Sequence, residues 1–215
     1  MNKISIAFIL SFITITVSAQ EEKLPHLEMQ YTAAMQPMYL FNSGIRLDFE
    51  KRIKRSPSWL QISPSVYWVP KDDEYNSYLM SGEELSGLFG IGLDLNYKYF
   101  FNPKESFYVA AGCTYTHYRI NYRGDIWNSY TEYDLTYHTH EYGNAKQNIN
   151  RAGLNTYIGY QIPTPYFLFD MYVGLGYRLS FRSDKFGERF DSSMISPGYR
   201  GVMFLTGVRF GCKFK

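Results

Sequence analysis

Residues 166–181, Tyr-Phe-Leu-Phe-Asp-Met-Tyr-Val-Gly-Leu-Gly-Tyr-Arg-Leu-Ser-Phe, alternate between two kinds of side chain. The odd positions from 167 to 181 are large aliphatic or aromatic residues, whereas the even positions from 170 to 180 are Asp, Tyr, Gly, Gly, Arg and Ser. Successive side chains of a β-strand point to opposite faces. A period of two therefore predicts an amphipathic strand here.

The same period recurs along the chain, and no segment shows a helical period. It is clearest in segments 45–53, 88–101, 152–162 and 201–214. With a first strand near 30–41, which ends in a small turn at 42–44, the count is eight strands. The connections alternate between tight turns that contain proline and long polar loops; the turns are 54–58, 102–105 and 163–165, and the loops are 70–86, 123–147 and 182–199. This order predicts an all-β, antiparallel up-and-down meander.

Three irregularities interrupt the pattern. Pro37 and Pro64 fall inside predicted strands, where a closed sheet has no free edge for a missing N–H group, so we expect a β-bulge at each. Within 106–122 the apolar positions change from odd to even, which predicts a further bulge near Thr116–His117.

The residue types on the two faces decide which face points inward. One set holds small and charged residues, and the other is dominated by large aromatic and aliphatic side chains. The interior of an eight-stranded barrel is only wide enough for side chains to fill it, so the large apolar set would overfill it and must face outward. Only lipid tolerates a full outer belt of this kind. The sequence thus predicts an eight-stranded transmembrane β-barrel.

The inward set then predicts a plug of ion pairs instead of an aqueous channel. We expect Asp170 and Arg209, on neighbouring strands, to form one of its contacts. A gated proton or ion path is the alternative use of the same charges. The predicted lumen network consists of Arg46, Asp48, Glu50, Asp94, Lys98, Asp170, Arg178 and Arg209.

Composition excludes several other classes of protein. The 215 residues carry a net charge of only +2, which gives no electrostatic case for nucleic acid, and 19% aromatic residues exclude disorder. The mean hydropathy of −0.31, with no long apolar run after residue 19, excludes a bundle of membrane helices. Cys113 and Cys212 both lie on the apolar set, so we expect two free thiols that face lipid.

The first 19 residues have the pattern of a cleaved signal peptide. Lys3 precedes an apolar run from Ile4 to Val17, and Val17-Ser18-Ala19 offers small residues for cleavage. We expect residues 1–19 to be removed on export and residues 20–215 to form the barrel domain.

From residue 30 to residue 215, this combination of features resembles the small eight-stranded outer-membrane barrels of the OmpA and OmpX kind. The resemblance is one of pattern and includes no catalytic motif. It implies location in the cell outer membrane of a Gram-negative bacterium and insertion by the barrel-assembly machinery. In that family the last strand usually ends in an aromatic residue, whereas here Phe214 is followed by Lys215.

The long loops are the expected place for any interaction with a partner. Loop 70–86 carries a net charge of −4, loop 123–147 one of −2, and loop 182–199 none. Lipopolysaccharide phosphates bridged by divalent cations could use such an acidic rim, but a merely solvated surface accounts for the same charges. An extracellular ligand at these three loops is the further partner that their position suggests.

Residues 130–142 alternate again and are expected to extend a hairpin above the membrane. Alternation places Asp134, His138 and His140 on one face, with a spacing that suits a zinc or copper ion. Two histidines in an exposed loop are more often simply exposed, so the sequence predicts no metal and no cofactor.

The sequence predicts a structural or surface-interaction role for a barrel with a filled lumen, and two other functions are the alternatives. An outer-membrane lipid-modifying enzyme needs a nucleophile within reach of its base, but the last strand has neither Ser nor His, and His117 has no evident serine partner. We therefore expect no enzyme and no catalytic residue. A secreted lipocalin-like carrier would require the apolar set to face inward.

Overall fold

Eight antiparallel strands account for most of the chain in the computed structural model, which describes residues 29–53, 56–69, 84–182, 190–191 and 193–215. Each strand pairs with the next, and the eighth pairs with the first, which closes the ring and confirms the predicted fold. The predicted signal peptide, 1–19, lies outside the described residues. The strands are β1 (Tyr31–Met35), β2 (Gly44–Arg52), β3 (Ser58–Val69), β4 (Glu84–Phe100), β5 (Phe107–Glu132), β6 (Leu135–Gln161), β7 (Phe167–Arg182) and β8 (Gly201–Phe214).

The two ends of the barrel differ in their connections. The connections 101–106 and 162–166 and the described part of 53–57 join strands at one end, which we call the short-turn end. The opposite, long-loop end holds the connections 36–43 and 133–134 and the described part of 183–200. Loop 70–86 lies outside the described residues up to position 83, and loop 182–199 is described at 182, 190–191 and 193–199.

The first strand is shorter than predicted. β1 ends at Met35 instead of near residue 41, and a 3-10 helix, η1, follows over Pro37–Asn42. Pro37 stands in the first turn of this helix, where its fixed φ suits the helix and its missing N–H costs nothing. The chain then turns at Ser43 in the left-handed conformation, φ 50°, close to the predicted turn. The expected bulge at Pro37 is therefore wrong.

The other two predicted bulges are also wrong. Pro64 pairs with Leu93 in continuous register, and the β2–β3 register is the same on both sides of it. A proline removes a single N–H group, so the ladder loses a bond without a shift. No shift occurs near 116–117 either; the β4–β5 ladder shifts between Leu85 and Gly87 instead.

The β5–β6 hairpin continues far beyond the rest of the barrel, which confirms the predicted extension. Arg123 is the last β5 residue to pair with β4, but pairing with β6 continues to Glu132. Tyr133 and Asp134 form the tip, both with positive φ, at 51° and 61°. Nine residues beyond Arg123 correspond to roughly 30 Å at about 3.3 Å per residue.

The apolar set faces outward, as predicted. Leu93 and Val173 are 43% and 55% exposed, whereas the neighbouring Asp94 and Asp170 are 7% and 0% exposed. On β4 the outward apolar side chains run from Phe89 to Tyr99, which is roughly 33 Å along the strand. At a typical tilt of about 40° this is an apolar band roughly 25 Å tall, the height found in outer-membrane barrels.

Both cysteines are free and exposed on this outer face, as the sequence predicted. None of the described helices has the length and apolar character needed to cross a bilayer.

Four inward tyrosines each place their ring against a glycine on the neighbouring strand. A Cβ atom added at any of these glycines would overlap its tyrosine. Because these glycines have no side chain, the tyrosine rings can pack directly on the backbone of the neighbouring strand. This arrangement is related to the aromatic rescue of glycine in β-sheets. The cross-strand pairs are Tyr67–Gly44, Tyr118–Gly90, Tyr108–Gly159 and Tyr172–Gly207.

We predict that Gly159→Ala destabilises the barrel by about 1–3 kcal/mol, because Tyr108 is 1% exposed and cannot move away. The measurement is urea unfolding of the protein folded in lipid vesicles. The matched control is Gly143→Ala in the hairpin extension, where the added methyl meets only Ile126 Cδ1 at 3.4 Å. Equal stability of the two variants would contradict the packing argument.

Candidate functional site: a plugged lumen below an apolar vestibule

Arg209 of β8 is the centre of the charge cluster inside the barrel. Its guanidinium lies 2.6 Å from Glu50 Oε1, forms a second ion pair with Asp170 and lies 3.7 Å from Asp48 Oδ2. It is fully buried. The predicted contact between Asp170 and Arg209 is present, and one cation joins carboxylates of β2 and β7.

Lys98 of β4 also pairs with Glu50 and Asp170, which it approaches from another side of the lumen. Its Nζ lies 3.0 Å from Asp170 Oδ2 and 3.3 Å from Glu50 Oε1, and donates to Gln161 Oε1 at 3.2 Å. The ammonium also stands 4.0 Å from the centroid of the Tyr108 ring. Because these side chains reach the axis from several directions, they fill the lumen at this level.

A second cluster lies one layer closer to the long-loop end. Arg46 Nε pairs with Asp48 Oδ1 at 2.8 Å, and its Nη1 pairs with Asp94. The same Nη1 donates to the Tyr39 hydroxyl at 2.8 Å. Burial raises the pKa of Tyr39 well above its ordinary value, so this hydroxyl stays neutral. The first loop-end connection is thereby fixed to the charge network.

Aromatic rings close the lumen towards the short-turn end. Trp59, Phe100, Tyr108 and Tyr157 form one buried cluster. Beside it, Arg52 pairs with Glu105 at 2.5 Å and stacks over the Trp59 ring. Burial raises the pKa of the Glu105 carboxyl, an effect that Arg52 opposes. Rings and ion pairs together form a continuous plug.

Seven of the eight predicted network residues meet in these clusters, but Arg178 does not. Its Nη1 donates to the Met194 carbonyl at 3.0 Å, and no described carboxylate lies within 4.0 Å of its guanidinium. Arg151 of β6 is a further inward arginine, 4% exposed, that is not among the residues predicted for the network. It stands one residue before the alternating segment 152–162 and has the same parity as the inward Tyr157.

Apolar side chains line the interior at the long-loop end. The inward side of β5 continues without a bulge through Tyr118, Ile120 and Tyr122. The change of phase in 106–122 therefore means that the large apolar residues move from the outer face of the strand to its inner face. Phe190, from the β7–β8 connection, is fully buried against them, 5.4 Å from Tyr122 between ring centroids. The cluster consists of Val69, Leu88, Tyr118, Ile120, Tyr122, Ile149 and Phe190.

Two cavities lie between the plug and the long-loop end. The lower one, of about 40 Å³, is polar and lined by Arg46, Asp94 and Asn96 among others. The upper one, which we call the vestibule, has about 320 Å³ and is lined mainly by apolar side chains, among them Val69 and Leu88. Arg151 and Arg178 line both cavities and mark the boundary between them.

The three candidate metal-ligating residues, Asp134, His138 and His140, lie at or near the tip of the hairpin extension. Asp134 is in its tip, and His138 and His140 are exposed on β6. Among the described residues, no group of three His, Cys, Asp or Glu side chains is arranged to hold a metal ion. His117 lies near the barrel wall with Nδ1 2.8 Å from Asn150 Oδ1.

No protein-family model and no curated protein matches the chain. Among solved structures, the chain is similar to the crystal structure of Acinetobacter baumannii CarO, with 12% sequence identity and a TM-score of 0.36. The match covers 86% of this chain and 96% of that one.

We predict that Asp170→Asn destabilises the folded protein by about 3–5 kcal/mol, because it leaves Lys98 and Arg209 buried with one carboxylate fewer. The free energy of unfolding in lipid vesicles measures the effect. Glu141→Gln, at an exposed position of the hairpin extension, is the matched control and should change it by less than about 0.5 kcal/mol. Indistinguishable variants would show that the cluster is not needed for stability.

Proposed function

We propose that this protein is an integral outer-membrane β-barrel that conducts no solute and presents a long hairpin for contacts outside the membrane. The observation that carries the proposal is the outward apolar face on a closed ring of strands. Water strongly disfavours a continuous belt of large exposed apolar side chains, whereas the hydrocarbon core of a bilayer accommodates it. Closure pairs backbone groups between neighbouring strands, as lipid requires, except along residues 201–209 of β8, which lie beyond the end of β1 and pair with β7 alone among the described strands.

The belt argues against the lipocalin-like alternative. A soluble carrier keeps its apolar side chains around a central ligand, but in this barrel Leu93, Val173 and Leu175 point outward. The axis at their level is occupied by Asp94, Arg46 and Arg209. Export by a cleaved signal peptide, residues 1–19, belongs to this proposal, as does insertion by the barrel-assembly machinery.

The plug supports a role other than transport through the lumen. Lys98 and Arg209 are fully buried, and both pair with the fully buried Asp170. Trp59 and Phe100 close the short-turn side. Opening a path would require separating buried charges from their partners, which costs several kcal/mol for each ion.

The hairpin extension supports a structural or surface-interaction role. It carries exposed aromatic rings beyond the membrane, among them Tyr130 and Tyr137, which stack at 5.2 Å between centroids, and Tyr133 at the tip, 90% exposed. Aromatic side chains are enriched in protein interfaces. Segments 70–86 and 123–147 are acidic, and we propose lipopolysaccharide as their partner through bridging divalent cations. The proposal includes no catalytic residue and no cofactor.

Membrane insertion is tested by cell fractionation and by gel migration: the protein should fractionate with the outer membrane and migrate differently with and without heating. Lumen closure is tested in planar lipid bilayers, where the folded protein should give no current steps of a water-filled pore. The control is the double variant Arg209→Ala with Asp170→Ala, which shortens two side chains in the plug and should introduce a leak. Stable pore-sized currents from the unchanged protein would contradict the blocked lumen.

A further inference from the structure

The barrel wall is incomplete between β8 and β2 at the long-loop end. β1 stops at Met35, which is the last residue of that strand to pair with β8, at Phe210. Residues 201–209 of β8 therefore pair with β7 alone among the described strands. The 3-10 helix η1, Pro37–Asn42, covers this side in place of a longer β1.

The vestibule opens through this gap. Its lining includes Met203 and Leu205, which belong to the inward set of β8, but also Phe204 and Thr206, which are exposed on the outer face. A cavity bordered by both faces of one strand passes around the edge of that strand. Met38 of η1 borders it from the other side.

The edges of the opening are apolar and exposed. Phe204 is 72% exposed, and Met38, Leu40 and Phe41 of η1 are 40%, 53% and 80% exposed. These side chains adjoin the apolar belt, so a hydrocarbon chain could pass from the bilayer into the barrel without crossing water. This access depends on the proposed insertion in the membrane.

The floor of the vestibule is positively charged. Arg151 and Arg178 both reach it, and neither has a described carboxylate within 4.0 Å. Arg151 donates to the Tyr118 hydroxyl at 2.7 Å, Arg178 donates to a carbonyl, and the Nε of each is buried without a hydrogen-bond partner. No described residue that lines the vestibule is acidic. Buried cations of this kind favour an anion, and guanidinium groups bind carboxylates and phosphates well.

We propose that the vestibule binds an amphiphile with one hydrocarbon tail and an anionic head group, which enters sideways between η1 and β8. The head group pairs with Arg151 and Arg178, and the tail lies against Met203, Leu205 and Met38 and leaves through the opening. The volume of about 320 Å³ is within the range of about 300–1,000 Å³ of small-molecule sites. A carboxylate or a phosphate would satisfy the same two arginines.

The test is native mass spectrometry of the folded protein in a non-ionic detergent. The probes are palmitate and hexadecyl phosphate, compared with hexadecanol and hexadecyltrimethylammonium, which have the same tail. We expect a single bound palmitate or hexadecyl phosphate, with the alcohol and the cation bound at least about tenfold more weakly. The preferred anion distinguishes a fatty-acid ligand from a phosphate ligand.

Two variants locate the ligand, each with a matched control. Arg178→Gln should weaken binding of the anions about tenfold or more, whereas Arg119→Gln, at an exposed position of β5, should leave it unchanged. Leu205→Trp fills the vestibule and should abolish binding, whereas Leu175→Trp, on the outer face of β7, should not. Gel migration with and without heating verifies that all four variants fold.

Equal binding of hexadecanol and palmitate, or binding that survives Leu205→Trp, would overturn the proposal, since either result places the ligand on the outer belt. The detergent measurement does not require a bilayer. A protein that inserts and blocks current but binds no anionic amphiphile therefore contradicts this inference alone, whereas a protein that fails to insert contradicts the proposed function.

Discussion

The closed ring depends on the ion pairs that cross behind its shortest strand. β1 contributes only five residues between β2 and β8, so it is the weakest part of the hydrogen-bonded wall. Arg209 of β8 reaches Glu50 of β2 across the inner face of β1, and Thr32 of β1 donates to the same carboxylate at 3.0 Å. Because a buried charge without a partner is costly, this cluster holds β8 and β2 together where the backbone ladder is short.

The two ends of the lumen have different chemistry as a consequence. Towards the short turns, the described interior is occupied by aromatic rings and ion pairs. Towards the long loops, η1 replaces the missing part of β1, and the lining becomes apolar around Val69, Leu88 and Phe190. The shortness of β1 thus has two consequences: the charge cluster links β8 to β2 behind it, and a lateral opening lies between β8 and η1 towards the long-loop end.

The strand count, the strand order and the direction of the apolar face could all be predicted from alternation. Segment 166–181 alone shows the period, and the size of its odd residues decides which face points outward. The charges that alternate with them, such as Asp170 and Arg209, then had to meet near the axis. These properties are local or follow from the narrow interior of an eight-stranded barrel.

The irregular features could not be predicted from the same pattern. Pro37 is compatible with a bulged strand or with the start of a helix. In the structure it begins η1, whose Tyr39 accepts a hydrogen bond from Arg46, a residue that is distant from Pro37 in the alternating pattern. The apolar lining at Tyr118 and Ile120 also includes Phe190, which is 70 residues or more away in sequence, in another connection. Arg178 points inward like the network residues, as its even position on β7 predicts. It lies closer to the long-loop end than their carboxylates and is therefore out of contact with them.

Spin labelling of Cys113 tests the orientation of the two faces most directly. With Cys212 replaced by Ser, a nitroxide on Cys113 reports on the outer face of β5 at the level of Leu95 and Leu154. In lipid vesicles it should collide often with dissolved oxygen and rarely with a water-soluble nickel chelate. The reverse preference, frequent collision with the nickel chelate, would show that this face meets water and would contradict the account.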